Sequence, residues 1–227
     1  MTSGKFLLSC LFCLAVVSCQ PDHTDRPDPI IQQGLFLIFR NTSSEKVCAY
    51  NNSSYLYEPD SCPGLLVVVS SADTSYPPPV KAGDQSIEKQ IKGYLELMQG
   101  QKYNGDIPII IDYKTDVCKS ITLTLYDKDD NFLAEVTDYA RFFDVREEPE
   151  IGAYYLFNSQ KEFIGRIEQG MSIKGYLAYE PLLFPVAHFL FPEYGDKEML
   201  SNGNYILVQI ELGDGTILTS KSTTDVG

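Results

Sequence analysis

The sequence predicts a mainly β protein, an antiparallel immunoglobulin-like sandwich with at most one short helix. Three observations carry this. Short apolar runs bounded by turn residues recur along the chain, at 34–40, 64–69 and 107–113. Two longer stretches alternate apolar and polar residues around a polar turn, the period-two pattern of half-buried strands. No long helical stripe competes with them, and closely spaced turn signals are those of a sandwich.

Taken in order, Gly34 to Arg40 and Gly64 to Val69 read as buried strands. Ile87, Ile91, Tyr94, Leu95 and Met98 fit one face of a helix that Asp84 or Ser86 can cap and Gly100 can end. Against a helix stands Gly93, which costs about 1 kcal/mol there relative to Ala. The pentapeptide Ile91-Lys92-Gly93-Tyr94-Leu95 also recurs as Ile173-Lys174-Gly175-Tyr176-Leu177. Each copy precedes an alternating strand and an acidic hairpin turn, so the favoured reading makes both strands of two related β-units, 34–145 and 150–222. Helix or strand at 87–99 stays open. Ile107 to Tyr113 is a further strand, with Pro108 at its start or on an edge. Ser120 to Tyr126 and Phe132 to Val136 form a hairpin around Asp127 to Asn131, with Asn131 expected in the left-handed conformation. The charged run at 146–150 marks the boundary between the units. Residues 181–194, PLLFPVAHFLFPEY, read as a Pro-punctuated apolar loop that caps the core or forms a contact patch. Ile206, Val208, Ile210 and Leu212 share a strand face, Gly213-Asp214-Gly215 turns the chain, and Thr216 to Ser220 returns.

The first residues are a different matter. Lys5 is followed by an apolar run from Phe6 to Val17, too short to span a bilayer but of signal-peptide length. It ends in Val16-Val17-Ser18-Cys19, which resembles the lipobox of bacterial lipoproteins. That resemblance implies removal of residues 1–18 and acylation of Cys19, and it covers only residues 1–19. It also places the Cys10-Leu11-Phe12-Cys13 motif in the removed segment. Gln20 to Gln33, rich in Pro and Asp, reads as an extended tether. Its acidic residues resemble the surface-export signal of Bacteroidota lipoproteins, and a plain solvated linker explains them equally well. The resemblance implies a cell-envelope protein anchored by lipid to the outer membrane, on its periplasmic or its surface face.

The composition excludes more chemistry than it suggests. The chain has 31 acidic and 18 basic residues and a net charge of −13, which argues against a nucleic-acid partner. The cluster Asp127, Asp129, Asn131, Glu135 and Asp138 approximates a Ca²⁺ loop, but Phe132 stands where such a loop needs Gly, so a plain acidic turn is preferred and no metal is assigned. Gly215 to Ser222 lacks the following helix that a phosphate loop requires. His188 is the only histidine outside the tether and sits between Ala187 and Phe189, a structural setting. No catalytic residue and no cofactor is assigned. Cys48 and Cys62 flank a polar loop and make the better local disulfide, which would contribute about 3 kcal/mol. Three buried free thiols, Cys48, Cys62 and Cys118, are the alternative. Fifteen tyrosines are the unusual feature of the composition. Tyr55, Tyr57 and Tyr76 lie in polar or Pro-rich loops and are candidate ligand contacts, while Tyr elsewhere is a good strand residue.

These readings converge on a non-enzymatic, lipid-anchored binding module for a glycan or a protein, with a structural or adhesion subunit as the alternative. Cys19→Ser should abolish lipid labelling and leave uncleaved precursor. Normal processing and labelling of that variant would refute the lipobox reading.

Overall fold

The computed structural model describes residues 37–41, 44–51, 64–71, 83–99, 109–143, 155–192 and 198–224. Residues 34–227 form one compact unit, separate from 1–33. The fold is mostly β. Two four-stranded antiparallel sheets pack their apolar faces together. The first sheet has the order β2(Cys48–Asn51), β3(Leu65–Ser70), β10(Val186–Phe191), β7(Arg141–Phe142). The second has the order β12(Ile217–Thr223), β11(Tyr205–Leu212), β5(Cys118–Tyr126), β6(Phe132–Glu135).

Alternation explains the layers. Along β5, Ile121, Leu123 and Leu125 are buried, and along β11, Ile206, Val208, Ile210 and Leu212 are buried, as their period-two spacing requires. They meet Leu65, Val67 and Val69 of β3 and Ala187, Phe189 and Phe191 of β10 in one core. At one side the sheets are joined by the Ala49 N–H, which donates to Ser220 Oγ at 2.9 Å. At the other, a 3-10 turn at Thr137–Tyr139 carries the chain from β6 to β7. Both expected hairpins are present, with β5–β6 and β11–β12 in antiparallel register. The left-handed residue of the first turn is Asp130, at φ 61°, not Asn131.

A second, smaller core lies beside the sandwich. The helix α1(Gln85–Gln99) buries Ile87, Ile91 and Leu95. They pack on the two-stranded sheet of β1(Leu37–Asn41) and β4(Ile109–Tyr113) and on the hairpin β8(Tyr155–Phe157) and β9(Phe163–Arg166). β1 and β4 run parallel, unlike every other strand pair among the described residues. The strand order, with α1 and β4 between β3 and β5 and β4 paired in parallel with β1, departs from the four-plus-three arrangement of immunoglobulin domains.

The strand reading of both pentapeptide copies is overturned. Residues 91–95 lie inside α1, and residues 173–177 form the short helix α2(Ile173–Leu177). Burial of three aliphatic side chains, each contributing about 1.5–3 kcal/mol, outweighs the cost of Gly93. The two copies bury different faces: Ile91 with Leu95 in α1, Ile173 with Tyr176 in α2. Both large sheets also combine strands from 34–145 and 150–222, so pairing does not follow a division at 145–150.

The loop expected at 181–194 is likewise corrected. Residues 186–191 are a central strand, and Leu182, Leu183, Phe184, Ala187, Phe189, Leu190 and Phe191 are buried. Pro181 and Pro185 precede this strand and Pro192 follows it, so the prolines frame it without interrupting it. An adhesive patch at this place is therefore excluded. α3(Glu198–Ser201) is a single turn ahead of β11.

The twin pentapeptides permit a matched test. A Cβ at Gly93 would meet nothing within 4 Å, whereas one at Gly175 would lie 3.3 Å from the Ser172 Oγ that accepts the Gly175 N–H and caps α2. Gly93→Ala should stabilise the protein by about 0.5–1 kcal/mol in urea unfolding. Gly175→Ala should give no gain; equal gains at both positions would contradict this packing.

Candidate functional site

Two places gather chemistry-bearing side chains. The first is the N-terminus of α1. Asp84 caps the helix, its Oδ1 accepting the Ser86 N–H at 3.0 Å, while its Oδ2 receives Lys161 Nζ at 2.7 Å. The Tyr113 hydroxyl, at the end of β4, accepts the Asp84 N–H at 2.5 Å and donates to Glu88 Oε1 at 2.8 Å. Gln90 donates to the Lys161 carbonyl and accepts the Phe163 N–H, each at 2.8 Å. The first two turns of α1 are thus gripped by the β8–β9 hairpin on one side and β4 on the other.

Lys161 holds its place under strain. The Asn158 side chain accepts the N–H groups of Gln160 and Glu162 at 3.1 and 2.8 Å, which tightens the hairpin turn and leaves Lys161 at φ 63°. Gly or Asn usually occupies such a position. The strain costs on the order of 1 kcal/mol and aims the ammonium at the helix cap.

The electrostatics make this cluster a latch. Lys161 holds the Asp84 carboxyl below the usual carboxylate range. Burial pushes the Tyr113 phenol up to about 12, and Glu88 adds to that, while the Asp84 N–H pulls the other way. Neither group is poised to exchange a proton near neutral pH, and each is spent on its neighbour.

The second place is the solvent face of the second sheet. Register sets Thr223, Tyr205, Tyr126 and Phe132 in one row, with Lys221, Leu207, Thr124 and Glu135 in the next. Tyr205 stacks on Tyr126 at 5.1 Å with the rings 8° from parallel. Lys221 Nζ lies 4.0 Å from the centre of the Tyr205 ring, and Phe132 meets Tyr126 edge-on at 6.3 Å. β12 and β5 flank β11 on opposite sides, so Lys221 and Tyr126 approach Tyr205 from opposite sides; Phe132, on β6, meets Tyr126 from the side away from Tyr205. Asp130 joins the row, accepting the Tyr205 hydroxyl at 2.7 Å and Lys221 at 3.4 Å, and both partners hold its carboxyl below the usual range. Phe132 and Ile217, each 62% exposed, stand on this face.

The residues singled out in the sequence fall differently. Cys19, Tyr55, Tyr57, Cys62 and Tyr76 lie outside the described residues. Cys48 is exposed on β2 with no bridge among the described residues. Cys118 is buried, which pushes its thiol up to about 12. His188 lies in β10 opposite Val68, within a central strand. In the acidic turn, the Asp127 carboxylate is directed into the turn itself, accepting the N–H groups of Asp129 and Asn131 and the Asn131 side-chain amide. Among the described residues no set of three or more His, Cys, Asp or Glu is arranged to hold a metal ion. Exposure is also rare among the described tyrosines: Tyr50 and Tyr179 stand out to solvent, and the others are buried or half-buried. No family model, curated protein or solved structure matches the chain.

Lys161, Tyr113 and the Tyr126–Tyr205–Lys221 row escaped the sequence reading. Lys161 lies 77 residues from Asp84, and Lys221 lies 91 from Asp130, separations no local pattern reports. Only the turn sequence Asn158-Ser159-Gln160-Lys161 hinted that Lys161 was special.

The latch has a pH signature. Lys161→Ala keeps the strained backbone and loses the ion pair, and should destabilise by about 0.5–1 kcal/mol at pH 7. Lys161→Gly relieves the strain as well and should lie within about 0.5 kcal/mol of the parent. Because the folded Asp84 value is depressed, the bridge contributes above the ordinary carboxylate range and is lost as pH falls through the folded value. Denaturant titrations of parent and Lys161→Ala should therefore converge as the pH falls below the ordinary carboxylate range. A gap that persists there would remove the ion pair as the cause.

Proposed function

We propose that this protein is a non-catalytic binding module of the cell envelope, anchored to the outer membrane through an acylated Cys19, and that it presents the solvent face of its second sheet to a protein ligand. The observation that carries the binding half is the pair Phe132 and Ile217, two large apolar side chains each 62% exposed on one four-stranded face. They stand at opposite corners of that face, Phe132 beside Tyr126 on one edge and Ile217 beside Glu211 on the other, with Thr122, Gln209, Thr219 and Lys221 between them as polar surface of the kind found at protein interfaces. Lys119 pairs with Glu211 at the Ile217 end.

The ring geometry favours a protein over a glycan. A sugar stacks on an open aromatic face, and Tyr126 and Tyr205 each cover one face of the other while Lys221 lies over the Tyr205 ring. The anchoring half is supported by the charged start, the apolar run and the small residue before Cys19. The absence of catalysis is supported by the latch at α1, where the converging ionisable groups are bonded to one another.

A photo-crosslinking residue placed at Phe132 or Ile217 in cells should yield a protease-sensitive adduct that the same residue at the exposed Lys174 does not. Phe132→Ser should abolish the adduct formed from position 217 while changing stability by no more than about 1 kcal/mol. Equal adducts at all three positions, or none at 132 and 217, would sink the assignment of this face.

A further inference from the structure

The β1–β4 pair is the exceptional sheet of the molecule. Parallel strands are normally covered on both faces. In this one, α1 covers the face of Leu37, Phe39, Ile111 and Tyr113. The opposite face sets Ile38 beside Ile110 and Arg40 beside Asp112. Ile38 and Ile110 are 38% and 51% exposed. The next row is closed on itself, because Arg40 Nε and Nη2 donate to the two Asp112 carboxylate oxygens at 2.6 Å each. These four side chains therefore offer an aliphatic pair and a neutralised ion pair on a chain whose net charge is −13.

β1 is also the first described element, and the chain that precedes it carries Cys19. Even fully extended, residues 20–36 reach at most about 60 Å. An acylated Cys19 would hold β1 against the bilayer at an effective concentration on the order of millimolar. A contact through two isoleucines, too weak to recruit a free protein, suffices to orient one that is already tethered. We infer that the Ile38–Ile110 face of the β1–β4 sheet rests on the lipid surface to which the chain is anchored. This rests on the acylation of Cys19 proposed above and adds to it an orientation of the folded body.

The chain contains no Trp, so a single introduced one reports without background. Ile38→Trp, Ile110→Trp and, as control, Ile217→Trp would be prepared in the full lipidated protein and placed in phosphatidylcholine vesicles with brominated acyl chains. Fluorescence at positions 38 and 110 should fall by about twofold against unbrominated vesicles, with position 217 unchanged. The two reporters lie on different strands, so a perturbation at one leaves the other as an independent measurement. No quenching at either, or equal quenching at all three positions, overturns the inference. A blue shift without quenching by bromine, the mark of a second protein copy covering the face, overturns it too. The mass of Cys19 in the same sample separates the two claims. An unmodified Cys19 defeats the anchoring and this inference together, whereas an acylated chain without quenching defeats the inference alone.

Discussion

Leu123 lies opposite Val208, Leu125 opposite Ile206 and Ile121 opposite Ile210. This pairing of β5 with β11 is the constraint on which the rest of the structure depends. A slip of β5 by one residue would turn Ile121, Leu123 and Leu125 out of the core and bring Thr122 and Thr124 in. Packing on both sides of the pair enforces the register. Gly203, just ahead of β11, approaches so closely that a Cβ there would lie 2.3 Å from Leu125 Cδ1. The same register stands Tyr205 against Tyr126 on the solvent face, so the order of the core and the aromatic row outside it have one cause.

What could be read in the sequence was what is local. The hairpins β5–β6 and β11–β12 combine period-two alternation with a turn a few residues long, and both lie where the pattern put them. The mainly β class followed from the same runs. The strand β10 was hidden because Pro181, Pro185 and Pro192 looked like interruptions, whereas they sit at its margins and its six residues each keep a donor for the ladder. Left-handed geometry fell on Asp130, because the Asp127 carboxylate takes the N–H groups of both Asp129 and Asn131 and sets where the turn reverses. The latch at α1 and the parallel pairing of β1 with β4 join segments that only the finished fold brings together.

The recurring pentapeptide shows how little five residues decide. In α1 the helix spans four turns and needs the i, i+4 pair Ile91 and Leu95 against β4; in α2 a single turn uses Ile173 and Tyr176, and the Tyr176 hydroxyl donates to the Leu182 carbonyl at 2.6 Å. Tyr94 meanwhile packs its ring on Phe163 at 4.9 Å at the margin of the smaller core. Both copies are helical, and the surroundings chose which side of each to bury.

The order of strands along the chain has a consequence in time. β3 and β5 lie in the first 126 residues, but β10, which completes the ladder on β3, and β11, which completes that on β5, fall between 186 and 212. Neither large sheet has its central ladder until those segments are present, and contacts so distant in sequence form slowly. A chain that emerges N-terminus first can therefore form only the β2–β3, β1–β4, β5–β6 and β8–β9 pairs until nearly all of it has appeared. The vulnerable interval is that wait, when β3 holds six consecutive buried-type residues with the edge that β10 will cover still open.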